Sequence, residues 1–361
     1  MMIYINGRFL TQPMTGVERY AYSICRALVD LQVVYIIVCP KAGIQPCYDT
    51  TGMQIVHYGF GKSHVWEQCV LPFFFLGKKD YILFSFTGLG SILIRNKIMT
   101  VHDLSFLYNR SWFSKTYYWW YKLMTPLAIK TSRRIITVSQ YSKQEILRFF
   151  PFIQEDKINV IYGGIDNDRF HIQKVASPAA KHYALAVSSI DPRKNFPMLI
   201  KAFRGIKDCQ LYIVGKYNHV FSQQEDRNEE SENIRFLGRV SDDELLSLYN
   251  QAECLIFPSV YEGFGLPLLE AMACGCPVLA SDIPVFKEVC GDAAIYFNPY
   301  DSKNIHDTII QYLNSTAQRK EMMREKGFQV IKRFSWSDSA KHIIQLSSLH
   351  ADRTPCYLVS R

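Results

Sequence analysis

Short apolar runs alternate with amphipathic helical patterns along this 361-residue chain, and near residue 182 the alternation starts again. That double run is the strongest constraint on its fold. Strands of four to six residues, each followed by a helix, build parallel sheets covered on both faces. In the first half the runs fall at residues 3–6, 33–38, 81–86, 97–101, 134–138 and 157–161. Residues 16–31 place Val17, Tyr20, Ala21, Ile24 and Leu28 on one helical face. In the second half, residues 182–188, 210–214, 234–237 and 254–258 read as strands, and 195–204 and 242–251 as helices. Ser241 is the expected cap of the latter, with acidic residues in its first turn. Two successive doubly wound α/β halves predict two Rossmann-like domains. The linker is expected near 165–180, where Asp166-Asn-Asp-Arg169 and Ser177-Pro178 interrupt the pattern, and the polar run at 222–233 predicts a surface loop.

Composition serves mainly to exclude. Apolar residues make up 48% and charged residues 20%, which argues against disorder. No segment reaches the roughly 18 uninterrupted apolar residues that span a bilayer. The start, Met1-Met-Ile-Tyr-Ile-Asn-Gly-Arg8, has no basic region followed by an apolar one, so no secretion signal is expected. The ten cysteines form no Cys-x-x-Cys pair, and Cys274-Gly-Cys276 is too close for a zinc knuckle, so free thiols in a reducing cytoplasm are expected. Charge is uneven. Residues 1–165 hold 18 Lys and Arg against 9 Asp and Glu, a surplus of +9, while the remainder holds 23 against 24. A basic half fits an anionic partner, either a membrane surface or a phosphorylated substrate, as well as plain solubility charge.

The densest chemistry lies in Tyr261-Glu-Gly-Phe-Gly-Leu-Pro-Leu-Leu-Glu-Ala-Met-Ala-Cys-Gly275. Glu262 and Glu270 stand eight positions apart, one in a glycine loop and one in the helix that follows. Pro267 suits the first helical position, where its missing N–H costs nothing, and Gly275 suits the residue just past the end. Such a loop and helix start aim N–H groups at an oxygen-rich ligand. Upstream, Ser188-Ser-Ile-Asp-Pro-Arg-Lys-Asn195 ends a strand and opens a helix, the edge where open α/β sheets bind ligands. Arg193 and Lys194 there suit a diphosphate, Arg through a forked pair of hydrogen bonds and Lys as a compact charge.

This Glu-x7-Glu stretch, its flanking order and the Arg-Lys-Asn element resemble the group 1 (family 4) retaining glycosyltransferases that use nucleotide sugars. The resemblance spans nearly the whole chain and is densest from 180 to 300. It implies a GT-B fold, two facing Rossmann-like domains with the active site in the interdomain cleft. The domains are expected at 1–170, completed by a C-terminal helix at about 335–361, and at 171–334. The resemblance implies a hexosyltransferase in which Glu262, His102, Arg193 and Lys194 are catalytic. It implies donor contacts from Gly16, Asp103, Arg193, Lys194, Gly215, Lys216, Val240, Glu262, Gly263, Phe264, Gly265, Leu266 and Glu270. Glu270 is expected to accept from ribose hydroxyls, and the region of Gly215, Lys216 and Gly238 to Val240 to hold the base. No metal or other cofactor is expected, because Arg193 and Lys194 supply the neutralising charge.

Thr15-Gly-Val-Glu-Arg-Tyr20 corresponds to the family's glycine loop, with Thr15 where many relatives have a second glycine. Thr100-Val-His-Asp-Leu-Ser105 carries the family's His-Asp element at a strand end. Trp112-Phe113 and Tyr117-Tyr-Trp-Trp-Tyr121, with Lys115, Lys122 and Lys130, form an aromatic and basic patch that suits a membrane interface or the domain core. The reading is a cytoplasmic enzyme held peripherally on the inner leaflet. It passes a sugar, GDP-mannose ahead of UDP-hexoses and dTDP-rhamnose, to a lipid-linked oligosaccharide of an O-antigen or capsule. No nucleic-acid partner is expected. The alternatives are a nucleotide-sugar 2-epimerase of the same architecture and a non-catalytic membrane-associated scaffold.

Overall fold

A computed structural model of the chain describes residues 1–173, 182–215 and 232–348. It divides into two compact units. The first comprises Met1–Gly164 with the chain from Trp336 on, and the second comprises Ile165–Ser335.

The first unit is built on a seven-stranded parallel sheet in the order β3-β2-β1-β4-β5-β6-β7. The strands are β1 Met2–Asn6, β2 Tyr35–Cys39, β3 Ile55–His57, β4 Tyr81–Ser85, β5 Lys97–Val101, β6 Arg134–Thr137 and β7 Ile158–Val160. The short edge strand β3 was not anticipated, because two of its three residues are exposed and it lacks an apolar run. One core layer joins Met99, Ile135 and Ile158 of the sheet to Met124, Ala128, Ile129 and Ile146 of the covering helices. Another gathers Tyr4, Val38 and Leu83 around Trp66, Leu71 and Phe75. Burying one such large side chain stabilises by roughly 1.5–3 kcal/mol. The final helix, Trp336–Ser348, belongs to this unit, where Ser339 Oγ donates to Tyr162 O and Trp336 meets Tyr20 edge-on.

The second unit repeats the plan with six parallel strands in the order β10-β9-β8-β11-β12-β13. These are β8 Tyr183–Val187, β9 Gln210–Val214, β10 Ile234–Gly238, β11 Cys254–Phe257, β12 Val278–Ser281 and β13 Ala294–Phe297. Read from β8 as first, this is the 3-2-1-4-5-6 order of a doubly wound dinucleotide-type sheet. Its core packs Ala184, Leu211, Ile256 and Leu279 against Leu199, Phe203, Ile305 and Ile309. Ser241 caps the helix Asp242–Gln251 in a complete capping box with Glu244. The unit's first and last residues lie side by side, Ile165 bridging to Ser335.

Candidate active site

In the second unit, the expected residues gather at the C-terminal edge of the sheet. Behind β8, Asp191 accepts from Arg193 N at 3.2 Å and so bends Pro192–Lys194 into one 3-10 turn. Asn195 follows in the left-handed region, φ 59°, and leads into the helix Phe196–Phe203. The neighbouring loop, behind β11, holds Ser259 and Glu262. Val260 N donates to Arg193 O at 2.9 Å, which ties the two loops together through the main chain. Lys194 Nζ donates to Glu262 Oε1 at 2.5 Å, and Ser259 Oγ donates to the same oxygen at 2.8 Å. Lys194 and Glu262 are each only 8% exposed, so the pair is largely removed from water. Arg193 Nε lies 3.2 Å from Asp191 Oδ1. Each cation of the Arg-Lys pair thus has a carboxylate beside it, a feature the sequence reading lacked.

Gly265 stands at φ 113° before the helix Leu266–Ala273. Leu266 opens this helix and Pro267 is second, one position later than expected. Phe264 is buried against Phe334, ring centres 5.5 Å apart, which fixes the loop's outer arm between Gly263 and Gly265. Glu270 is buried on the helix and its Oε2 accepts from Tyr249 Oη at 3.1 Å. Burial first, and then the Glu270 carboxylate, hold the Tyr249 phenol far above its ordinary pKa. Tyr249 therefore stays a donor at any ordinary pH.

Gly215 follows β9 with φ 155°, its N–H donating to Gly238 O at 2.8 Å. A Cβ there would sit 1.7 Å from Ser188 O, so only glycine lets β9 pass the loop that leads to Arg193. Val240 lies half-buried just beyond β10. Lys216 falls outside the described residues.

The first unit holds the other expected residues. Gly16 is the exposed first residue of the helix Gly16–Asp30, with no atom within 4 Å of where a side chain would begin. Thr15 stands at the N-cap of that helix, but its side chain makes no capping bond to the main chain; its hydroxyl bonds Glu18 instead. His102, just past β5, donates from Nε2 to Phe86 O at 2.7 Å, since a carbonyl only accepts. Tyr20 meets the ring edge-on at 5.0 Å. Burial pushes the His102 pKa below its ordinary value, outweighing the opposing Phe86 hydrogen bond and the Asp103 and Glu18 charges. The imidazole is then neutral at pH 7, with Nδ1 as its acceptor. Asp103 Oδ1 accepts from Ser105 N at 2.9 Å and Ser105 Oγ at 2.7 Å, so it closes the turn into the next short helix.

The aromatic patch divides by helix face. On Lys115–Thr131, Tyr118, Trp120 and Tyr121 pack on the core, while Trp119, Leu123 and Leu127 are exposed at four-residue steps. Lys122 and Arg110 both lie over the Trp119 ring. Val65, Phe73 and Leu76 are exposed as well, close in sequence to the buried Trp66, Glu67 and Leu71. The core reading of the patch therefore holds for Tyr118, Trp120 and Tyr121, while Trp119 on the same helix is exposed.

Sequence reasoning missed Asp191, Tyr249 and Ser259. Asp191 and Ser259 had a signal, since each sits two or three residues before a partner it bonds, a spacing typical of side-chain-capped turns. Tyr249 had none, because its contact with Glu270 crosses between two helices.

Two family models divide the chain between them. Glycosyltransferase Family 4 matches residues 14–169, and Glycosyl transferases group 1 matches residues 167–330. Together the two models span residues 14–330, and both are glycosyltransferase models, which supports the resemblance to a group 1 glycosyltransferase and the expected enzyme class, a hexosyltransferase. Among its relatives is the O-antigen chain mannosyltransferase RfbU of Salmonella typhimurium, 36% identical over 60% of this chain and 61% of the relative. The chain thus aligns with less than two thirds of that protein. The O-antigen chain mannosyltransferase B of Escherichia coli is 29% identical over 75% of each chain. Among solved structures, sucrose-phosphate synthase from Thermosynechococcus elongatus superposes with a TM-score of 0.76 at 16% identity, over 96% of this chain and 98% of that one. Anabaena Alr3699/HepE in complex with UDP and glucose gives 0.76 at 18% identity, over 96% and 99%. These likenesses establish the GT-B fold.

Proposed function

We propose that this chain is a retaining hexosyltransferase of O-antigen or capsule synthesis, moving a sugar from a nucleotide diphosphate to a lipid-linked oligosaccharide. The observation that carries the reading is the laced pair of strand-end loops that brings Arg193, Lys194 and Glu262 together. Such preorganised charge is worth most where charge develops in a transition state. In this reading Arg193 and Lys194 steady the departing diphosphate, and Glu262 with the Gly263–Leu266 main chain orients the donor sugar. Glu270 accepts from the ribose, and neutral His102 offers Nδ1 to a sugar or acceptor hydroxyl. The bond from the anomeric carbon to the phosphate oxygen breaks while the bond to the acceptor oxygen forms on the same face. The leaving phosphate oxygen takes the acceptor's proton.

The mannosyltransferase relatives support GDP-mannose as donor. The exposed apolar residues Trp119, Leu123, Leu127, Val65, Phe73 and Leu76, beside lysines, support docking on the inner leaflet of the cytoplasmic membrane. No helix among the described residues is long and apolar enough to cross one.

The test is a panel of GDP-, UDP- and dTDP-sugars incubated with the purified chain, with and without a lipid-linked oligosaccharide. Product that appears only with acceptor, from one donor, and with the anomeric configuration kept is the expected result. An epimerised nucleotide sugar formed without acceptor supports the epimerase instead. Flotation with phosphatidylglycerol vesicles tests docking, which Trp119→Ser with Leu123→Ser should abolish.

A further inference from the structure

One charged cluster of the first unit, around Arg8 and Glu67, has been given no role above. Arg8 lies directly behind β1, at the C-terminal edge of its sheet, and its side chain is only 10% exposed. Glu67, fully buried, lies beneath it, with Oε1 3.7 Å from Arg8 Nε. That oxygen also accepts from Asn6 Nδ2 at 2.7 Å and Gly90 N at 3.3 Å. Burial raises the Glu67 pKa, but Arg8 and then His64 and Asn6 more than offset this, so the carboxyl stays below its ordinary value and charged. The loop behind β4 closes on the guanidinium, since a Cβ at Gly88 would fall 2.3 Å from Arg8 Nη2.

The guanidinium is nevertheless poorly supplied. It has five N–H donors. Nη1 reaches Ser63 Oγ and His64 Nδ1, both at 3.4 Å, while the buried Nε has no hydrogen-bond partner and the buried Glu67 Oε2 has only His64 Nδ1 nearby, at 3.6 Å. Native proteins rarely leave such groups unfilled, and each costs about 1–3 kcal/mol. A buried ion pair is also a poor source of stability by itself. An arginine pinned by a carboxylate at a sheet's ligand-binding edge, with donors to spare, is arranged to grip oxygen atoms. Its planar fork matches a phosphoryl group.

We infer that Arg8 binds a phosphoryl group of the acceptor, with Glu67 and Asn6 as positioning residues. This rests on the functional reading above, in which the acceptor hangs from a lipid diphosphate. His64 sits at the same rim and couples the site to the aromatic helix, its Nε2 lying 3.4 Å from Tyr121 Oη.

The test is calorimetric binding of a water-soluble short-chain prenyl diphosphate to the full chain saturated with its nucleotide, so that the donor's own diphosphate site is filled. The wild type should bind the probe. Arg8→Gln should weaken it at least tenfold and Arg8→Lys severalfold, both with nucleotide affinity within twofold of wild type. Glu67→Gln should weaken the probe less than Arg8→Gln and, in the transfer assay, raise the acceptor KM while sparing kcat. Equal probe affinity in wild type and both Arg8 variants, or a nucleotide-bound wild type that ignores the probe, would overturn the inference. A wild type that binds no nucleotide at all would instead bring down the glycosyltransferase reading on which it rests.

Discussion

The two sheets share a strand order over six strands, yet their C-terminal edges are organised in opposite ways. In the second unit, Lys194 is paired with Glu262 across neighbouring loops and Arg193 with Asp191 within its own turn, so each cation has a carboxylate beside it. In the first unit, the strand-end histidine is kept neutral by burial and anchored on a main-chain carbonyl, while the Arg8 partner, Glu67, is sunk fully out of water. The first arrangement suits a ligand whose charge changes during reaction. The second suits recognition of a ligand whose charge stays put.

The contrast can be broken first at Arg193. Arg193→Ala should lower kcat by about 10²–10³-fold, the usual effect of losing one preorganised electrostatic donor. His102→Gln should cost far less, because glutamine can still donate to Phe86 O. Equal losses in steady-state assays would erase the proposed division of labour.

Gly215 offers the next largest effect, this time on stability. Gly215→Ala puts a Cβ into the Ser188 carbonyl and should destabilise by about 3–4 kcal/mol, seen as a lower midpoint in urea. Gly16→Ala meets open space and should change stability by less than about 1 kcal/mol. A mild Gly215 variant would mean that β9 can move away from the loop.

Tyr249→Phe removes one donor from the buried Glu270 carboxylate and should cost about 1–2 kcal/mol. It should also weaken nucleotide affinity if the phenol fixes that carboxylate for the ribose.

The smallest effect is in pH dependence. Because burial lowers the folded pKa of His102 below the ordinary 6.5, the unfolded chain binds its proton more readily. The contribution of His102 is therefore complete above about pH 6.5 and is lost as pH falls through the folded value. The stability advantage of wild type over His102→Gln should shrink between pH 7 and pH 5 in thermal melts. A constant difference would show that burial does not govern this group.

Legibility in the sequence followed the same division. Most of the second unit's expected site residues sit in two compact windows, 188–195 and 261–275, so their spacing alone exposed the strand, loop and helix that carry them. The capping box at Ser241 was equally local. By contrast, Arg8, His64, Glu67, Gly88 and Tyr121 meet only because β1, β4 and the aromatic helix pack together. No periodicity links them. The aromatic run at 117–121 was visible, but a helix turns successive residues to different faces, and only the fold separated exposed Trp119 from Trp120 packed on the core. The pairing of Lys194 with Glu262 was likewise hidden, since sequence showed two cations side by side and not the carboxylate across the loop.

Nucleotide binding tests the central claim most directly. Titration calorimetry of GDP, UDP and dTDP against wild type, Arg193→Ala and Glu270→Gln asks whether the second unit's strand-end loops hold the donor. The account predicts that one nucleotide binds the wild type and loses at least tenfold in affinity to each variant. Undiminished binding to both variants would contradict it.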